Sequence, residues 1–175
     1  SSDLITTGLI TPAMAAEDDV PETYSNAYVV MDAKTGQVLL QKNMYEKEYP
    51  ASITKILTTA LGLTYAKPED SITVSQETVS DVWKWGETTH LALEPGEIIT
   101  LKDALYGAMV ESANDCANAI AQAVSGSLAD FAELMNQQVA ALGLSDSHFT
   151  NAHGLPDKDH YTTAYDLAII SAHAL

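Results

Sequence analysis

Ser52 and Lys55 have the residue types and the spacing of a nucleophile and its base. Residues three apart on a helix share a face, so the Lys55 amine can reach the Ser52 hydroxyl. A position in the first helical turn puts the serine oxygen in the positive field of the helix N-terminus, which stabilises a developing alkoxide. The lysine must be neutral to accept the proton, so burial or a cationic neighbour must lower its pKa. Alone, this motif more often marks a capped helix with an exposed lysine.

A second candidate motif, Ser112-Ala113-Asn114, lies in a short connection between two predicted helices. Its hydroxyl can relay a proton, and its amide can hold a substrate amide group. By itself it is an ordinary helix cap. Together, in this order and about 60 residues apart, the two motifs form the pattern of penicillin-binding proteins and related β-lactamases.

Thiol and metal chemistry are not indicated. Cys116 is the single cysteine, which excludes an internal disulfide and a Cys-rich zinc site. A catalytic thiol needs a histidine partner, and none is near in sequence, so Cys116 is predicted to be a small buried helix residue. His148, His153 and His160 lie close together in the chain, but their spacing matches no zinc template. We therefore expect no metal and no cofactor.

The elements around Ser52 are a predicted strand pair and a predicted helix. Residues 27–33 and 37–43 are apolar, β-prone runs, and Lys34-Thr35-Gly36 between them suggests a hairpin turn with Gly36 at positive φ. After Pro50, Ser52 opens a helix that is predicted to be buried in the core. Its apolar residues recur at helical spacing: Ile53, Ile56, Leu57, Ala60 and Leu61.

The remainder of the chain is mostly helical after an irregular stretch at residues 71–96. The predicted helices, with their caps, are 101–110 (Thr100 with Asp103), 114–124, one closed by Gly143 (Ser127 with Asp130) and one reaching Leu175 (Thr163 with Asp166). A two-stranded hairpin is marginal alone, so further strands should pair with the first one. They are not in this sequence, which indicates a fragment.

Composition suits one domain and excludes nucleic acid as a partner. The chain has 175 residues, 46% of them hydrophobic, which is enough for a sizeable core. Its formal net charge of −16 comes from 24 acidic residues against eight lysines, with no arginine. Because phosphate neutralisation needs clustered Lys or Arg, we expect no nucleic-acid binding. A substrate carboxylate would likewise find no guanidinium fork in this chain.

The N-terminus differs in character from the rest of the chain. Residues 1–16 resemble the end of a secretory signal peptide with an Ala-x-Ala cleavage site, its basic start missing; a disordered tail is the alternative. Residues 17–23 are a polar lead-in, and residues 24–175 form the predicted domain. No later segment has the length of a membrane span.

Four further runs carry a family resemblance: residues 131–136 (FAELMN), 141–144 (ALGL), 147–155 (SHFTNAHGL) and 161–168 (YTTAYDLA). With the two motifs above, they resemble the low-molecular-weight D-alanyl-D-alanine carboxypeptidases of the penicillin-binding type, peptidase family S11. The similarity runs from about Tyr24 to Leu175. It implies an α/β (α+β) fold of the transpeptidase/β-lactamase type. This chain would hold its N-terminal strand hairpin and all-helical lobe, with the remaining sheet strands missing.

The resemblance implies a role for each candidate residue. Ser52 would be the acylated nucleophile and Lys55 its general base, while Ser112 would relay the proton towards the leaving amine. Asn114 would hydrogen-bond the acyl side of the substrate. His153 would lie on a loop bordering the cleft and bind substrate, or would only order its own backbone. The implied reaction removes terminal D-alanine from peptidoglycan stem peptides ending in D-Ala-D-Ala, through an acyl-enzyme that β-lactams trap.

One family motif is missing from its expected place. The third motif, Lys-Thr-Gly, follows the last helix in the family, whereas Lys34-Thr35-Gly36 precedes Ser52 and is interpreted as turn chemistry. The third motif supplies part of the oxyanion hole and the carboxylate anchor, so this chain alone is expected to be incomplete. A second chain or a further segment would carry the remaining strands. The family also implies a location outside the bacterial cytoplasm, with membrane association through a segment not in this chain.

Two alternative functions fit the same motifs. One is a β-lactamase or esterase on the same fold, although no Glu-x-x-x-Asn sequence follows the Ser-x-Asn motif. The other is a non-catalytic penicillin-binding or sensing domain. A Ser52→Ala substitution would abolish acylation in either enzyme but leave the function of a sensing domain intact.

Overall fold

The computed structural model describes residues 22–175, so the expectations for residues 1–16 and for the first part of the lead-in lie outside it. The strands are β1 (Tyr28–Met31), β2 (Val38–Lys42), β3 (Ser71–Thr73) and β4 (Ile98–Thr100). The helices are α1 (Thr54–Tyr65), α2 (Gln76–Trp83), α3 (Leu101–Val110), α4 (Asn114–Ser125), α5 (Leu128–Ala141) and α6 (Ala164–Ala174). The mixed α/β character predicted from sequence is confirmed.

β1 and β2 form the predicted antiparallel hairpin. In the turn between them, the Asp32 carboxylate accepts hydrogen bonds from the backbone N–H groups of Lys34 (3.0 Å) and Thr35 (2.7 Å). Gly36 has a φ of 71°, a left-handed conformation that glycine adopts without steric cost. The early Lys-Thr-Gly sequence is therefore turn structure, as predicted.

Helix α4 is the buried centre of the helical lobe. Its first eight residues, 114–121, are all buried, and helices α1, α2, α3 and α5 pack against it. Three of the eight are alanines, whose small side chains let larger neighbours interdigitate. One apolar cluster joins α4 to α3 through Leu101 and Ile120. A second joins it to α1 and α5 through Leu57 and Phe131.

The predicted helix starts are confirmed by hydrogen bonds. The capping pairs are Thr100 with Asp103 at α3, Ser127 with Asp130 at α5, and Thr163 with Asp166 at α6. In each pair the hydroxyl accepts from a backbone N–H three residues on, which satisfies an otherwise unpaired donor. The α5 helix is the longest of the described part, at 14 residues. Between residues 22 and 175 no helix combines the length and the apolar character needed to cross a bilayer.

The segment predicted to be irregular, residues 71–96, contains more order than its sequence indicates. It begins with β3, which pairs antiparallel with β4, and it includes α2, capped where the Ser75 hydroxyl accepts from the Thr78 N–H (3.2 Å). Three-residue strands are too short for an alternating pattern to stand out. The helical lobe therefore also carries a strand pair that the sequence did not reveal.

Gly107 on α3 provides a test of the packing on α4. A β-carbon at this position would collide with the Cys116 Sγ and lie 3.0 Å from a methyl of Leu91. Gly107→Ala is therefore expected to lower the free energy of unfolding by about 1–3 kcal/mol through overpacking. Urea denaturation of the two proteins measures the difference.

The matched control removes the Cys116 sulfur, with which the added β-carbon would collide. In the double variant Gly107→Ala/Cys116→Ala, part of the lost stability should return, because the two residues are in direct contact and their effects are coupled. Strictly additive losses in this double-mutant cycle would contradict the proposed collision.

Candidate active site

Ser52 lies exposed at the start of the helix that carries Lys55. Residues Ala51–Ile53 form a single 3₁₀ turn, and α1 continues from Thr54. The helix predicted to open at Ser52 therefore becomes a regular α-helix only after this turn. Ala51, immediately before the serine, has a φ of 48°. Such left-handed backbone persists in a non-glycine residue only where the surrounding structure enforces it.

Gly154 is one of the residues that hold Ala51 in this left-handed conformation. It has a φ of +88°, and a β-carbon built on it would collide with the carbonyl oxygen of Ala51 and lie 3.0 Å from the Thr54 hydroxyl. Only a glycine combines this conformation with such a close approach of two backbones. The loop that follows Ala152 thus packs directly beneath the turn that carries Ser52.

The Lys55 amine lies at the centre of the site. The side chain is 2% exposed, and its Nζ lies 3.2 Å from the Ser52 Oγ, 3.4 Å from the Ser112 Oγ and 2.8 Å from the carbonyl oxygen of His153. A neutral amine has two N–H donors and one lone pair. The protonated amine donates to the Ser52 Oγ. After loss of a proton, donation to Ser112 and to the His153 carbonyl leaves the lone pair for the Ser52 hydroxyl, which is the geometry a general base needs.

Burial changes the proton affinity of this amine. Removal from water disfavours the charged form and lowers the pKa of Lys55 from 10.5 to about 8. Among residues 22–175, no carboxylate forms an ion pair with Lys55. The sequence analysis required either burial or a cationic neighbour to lower the pKa of the lysine, and the structure supplies burial.

Ser112 joins the cluster from the connection between α3 and α4. Its hydroxyl donates a hydrogen bond to the Ser52 Oγ over 2.9 Å, so Ser52, Lys55 and Ser112 contact one another in a closed triangle. Ser112 itself has a φ of 58°, and the buried Ala113 that follows it donates its N–H to the Gly107 carbonyl (3.0 Å). The predicted short connection between two helices is confirmed, and it is anchored on α3.

Asn114, the last residue of the second motif, is 4% exposed at the start of α4. Its side-chain amide donates to the hydroxyl of Thr88, and its backbone N–H donates to the Thr89 carbonyl (2.9 Å). The amide of this residue, two positions after Ser112, is thus already engaged by a neighbouring segment. Its contact with a substrate stays a prediction.

Asp115 holds that neighbouring segment in place and was missed by sequence reasoning. Its buried carboxylate accepts hydrogen bonds from the backbone N–H groups of Leu91 (3.1 Å) and Leu93 (3.0 Å). Two bonds to one carboxylate fix the course of residues 88–93 along the site. An acidic residue in the first turn of α4, directly after the Ser-x-Asn motif, was the available signal.

His153 contacts Lys55 through its backbone rather than its ring. The side chain is 2% exposed; its Nδ1 accepts from the Leu155 N–H (3.1 Å), and its Nε2 lies 2.9 Å from a carboxylate oxygen of Asp81. The Asn151 side chain shapes this loop by accepting from the N–H groups of His153 and Gly154. The predicted place of His153 beside the site agrees with the structure, and its binding of substrate stays a prediction.

The other histidines have separate protein partners. His160 contacts the Thr54 hydroxyl through Nε2 at 2.8 Å, and burial lowers its pKa to about 4. His148 contacts the carbonyl of Asp159 through Nδ1.

Cys116 is 1% exposed in α4, and burial raises the pKa of its thiol to about 12. The prediction that Cys116 is a small buried helix residue is confirmed.

An exposed serine, a buried lysine of lowered pKa and a bridging second serine are the groups that serine acyl transfer uses. The family model for D-alanyl-D-alanine carboxypeptidase matches residues 13–175, and the chain belongs to this family. Its fold corresponds to about half of the fold of the penicillin-binding proteins.

Individual relatives agree with this assignment. The chain is 35% identical to D-alanyl-D-alanine carboxypeptidase DacF of Bacillus subtilis, with 94% of the chain and 43% of the relative covered. It is 35% identical to DacC of Escherichia coli, covering 90% and 42%. The structure of penicillin-binding protein 6B from Escherichia coli superposes with a TM-score of 0.81 at 31% identity, over 92% of this chain and 52% of that one. The chain spans about two-fifths of the length of the curated relatives it matches.

The lowered pKa of Lys55 can be measured directly. In protein labelled with ¹³C at lysine Cε, the Lys55 resonance should titrate with a midpoint of about 8, because burial favours the neutral amine. The variant Lys55→Met identifies the resonance by its loss. A midpoint near the ordinary value of about 10.4 would show that the amine is solvated and contradict the buried site.

Proposed function

We propose that this chain carries the nucleophile, base and proton relay of a serine D-alanyl-D-alanine carboxypeptidase. The substrate would be a peptidoglycan stem peptide ending in D-Ala-D-Ala, from which the terminal D-alanine is removed. The observation that carries the proposal is the buried Lys55 amine, which lies within hydrogen-bonding distance of both Ser52 and Ser112. The family to which the chain belongs supports the choice of substrate.

In the acylation step, the Ser52 oxygen attacks the carbonyl carbon between the two D-alanines while the neutral Lys55 amine takes the hydroxyl proton. The start of α1 supplies a positive field that stabilises the developing alkoxide. Collapse of the tetrahedral intermediate breaks the C–N bond. The Ser112 hydroxyl, hydrogen-bonded to both Ser52 and Lys55, passes a proton from the lysine to the leaving amine, so Lys55 ends neutral.

In the deacylation step, water attacks the ester carbon of the acyl-enzyme. Lys55 takes the water proton as general base, and the Ser52–carbon bond breaks as the serine oxygen is reprotonated. The products are the shortened peptide and the regenerated site. In this scheme the Asn114 amide, at the start of α4, would hold the acyl side of the substrate after releasing Thr88. His153 would contribute to substrate binding from the loop that borders the site.

β-Lactams fit the same chemistry. Their strained amide would be opened by Ser52, and the covalent product would occupy the site of the acyl-enzyme. Because the peptidoglycan substrate lies outside the cytoplasm, the protein would act there, in agreement with the signal-like N-terminus. The Lys-Thr-Gly strand of the complete site would come from a segment or chain beyond this sequence.

Intact-protein mass spectrometry tests the proposal most directly. Incubation of the protein, expressed from its complete gene, with benzylpenicillin should add the mass of one penicillin. Ser52→Ala should abolish the adduct, because Ser52 is the exposed one of the two hydroxyls at the Lys55 amine and the closer of them, at 3.2 Å against 3.4 Å for Ser112. The mass before incubation also records the length of the mature protein.

Ser127→Ala is a matched control. This serine also lies at a helix start, as the cap of α5, but its hydroxyl bonds to Asp130 and not to Lys55, so its loss should leave the adduct intact. An adduct that persists in Ser52→Ala, or its absence from the full-length wild-type protein, would exclude the proposed acyl-enzyme. Penicillin bound without covalent attachment would favour a sensing domain instead.

The rate of acylation should depend on pH through Lys55. The base must be neutral, and its pKa is about 8, so the rate constant for acylation should rise about tenfold per pH unit below that value and level off above it. Single-turnover reaction with a chromogenic cephalosporin between pH 6 and pH 9.5 measures the profile. A rate constant that falls or stays constant as the pH rises to 8 would contradict Lys55 as the base.

A further inference from the structure

We propose that Asp81, on α2, is a positioning residue for acylation that fixes the Lys55 amine through His153. It does not touch the nucleophile or the reacting atoms. Its carboxylate binds the imidazole of His153. The backbone carbonyl of His153 accepts a hydrogen bond from the Lys55 amine. The inference rests on the proposed function, because it concerns the base of that same reaction.

Two short contacts join Asp81 to Lys55. The Asp81 carboxylate lies 2.9 Å from the Nε2 of His153, and the His153 carbonyl lies 2.8 Å from the Nζ of Lys55. The ring and the carbonyl belong to one residue, so the carboxylate fixes the side chain of the residue that meets the lysine. Asp81 and His153 are 72 positions apart in sequence, and α2 is thereby tied to the loop beneath the nucleophile.

The hydrogen-bond pattern assigns the proton on His153. Nδ1 accepts from the Leu155 N–H at 3.1 Å, so this nitrogen carries its lone pair. The proton of the neutral ring is therefore on Nε2, which donates it to Asp81. Burial lowers the pKa of His153, which agrees with a neutral ring. Both ring nitrogens are then satisfied, and the ring has one orientation.

Asp81 is itself held firmly. The oxygen that faces His153 also accepts from the side-chain amide of Asn118 on the buried α4 (3.0 Å), and its other oxygen pairs with Lys84 (2.5 Å). Burial raises the pKa of Asp81, but the hydrogen bonds from His153, Lys84 and Asn118 outweigh it and hold the pKa well below its usual range. The anchor is a carboxylate fixed to the central helix.

Loss of the Asp81 carboxylate should displace the Lys55 amine through the two contacts of His153. Without Asp81, the buried Nε2–H has no acceptor, which costs free energy and favours rotation of the ring. The adjacent backbone carries two functions: the His153 carbonyl binds Lys55, and Gly154 supports Ala51. Displacement of a catalytic group by about 1 Å can cost about 100-fold in rate. Acylation should therefore be sensitive to Asp81, whereas the initial non-covalent binding of a β-lactam should not be.

The test separates these two steps in the full-length protein. Stopped-flow reaction with a chromogenic cephalosporin gives the dissociation constant of the initial complex and the acylation rate constant. Asp81→Ala should lower the rate constant by about tenfold or more and leave the dissociation constant within about threefold. Asp81→Asn keeps an oxygen that can accept from Nε2–H, so it should restore most of the rate.

A control variant on α2 tests a nearby charge that does not touch His153. Glu77→Ala removes an exposed carboxylate of α2 and should acylate at close to the wild-type rate. Equal rates for wild type and Asp81→Ala would overturn the inference, as would a loss in Asp81→Ala that appears only in the dissociation constant.

The protonation of the His153 ring can be measured in the wild-type protein, so this test does not depend on whether a variant folds. In ¹⁵N-histidine-labelled protein, long-range spectra distinguish a protonated from an unprotonated ring nitrogen, and His153 should be protonated at Nε2 alone. A proton on Nδ1 would overturn the inference even if Asp81→Ala failed to fold. A wild-type protein that is never acylated would instead refute the proposed function, whatever tautomer His153 shows.

Discussion

The burial of one amine is the constraint on which the rest of the site depends. An amine removed from water needs polar partners close by, and Lys55 finds them on three segments of the chain. Ser52 lies one helical turn away, Ser112 lies 57 positions after the lysine, and His153 lies 98 positions after it. All three must be placed correctly at once. The packing of four helices around α4 holds them in that arrangement.

Much of this support comes from backbone atoms and from glycine. His153 receives the lysine with its carbonyl, Gly154 approaches Ala51 closely because it has no side chain, and Asn151 fixes the loop by accepting from two backbone N–H groups. The Asn-x-His-Gly run therefore acts as a template for the turn before Ser52. Ala51, the non-glycine residue directly before Ser52, holds a left-handed backbone that such a template can enforce.

Sequence reasoning succeeded where spacing has one geometric meaning. A serine three residues before a lysine on a helix predicts their contact, and hydroxyl caps predict helix starts, because both depend on local geometry alone. The pairing of Asp81 with His153 depends on how α2 packs against a distant loop, and no local pattern encodes it. The contact between the His153 carbonyl and Lys55 could not be predicted either, since every residue has a backbone carbonyl. The three-residue strands β3 and β4 were missed because they contain too little pattern to detect.

The long sequence separation between the lysine and its carbonyl partner bears on how the protein matures. A ribosome completes Ser52 and Lys55 about a hundred residues before it makes His153 and Gly154. In that interval the lysine has no loop to cover it, so it stays hydrated and charged. A charged amine cannot take the serine proton, so under the proposed function Ser52 would stay inert until the loop docks. Reactivity at Ser52 would thus be gained only with tertiary structure, and an unfolded chain would not be acylated prematurely.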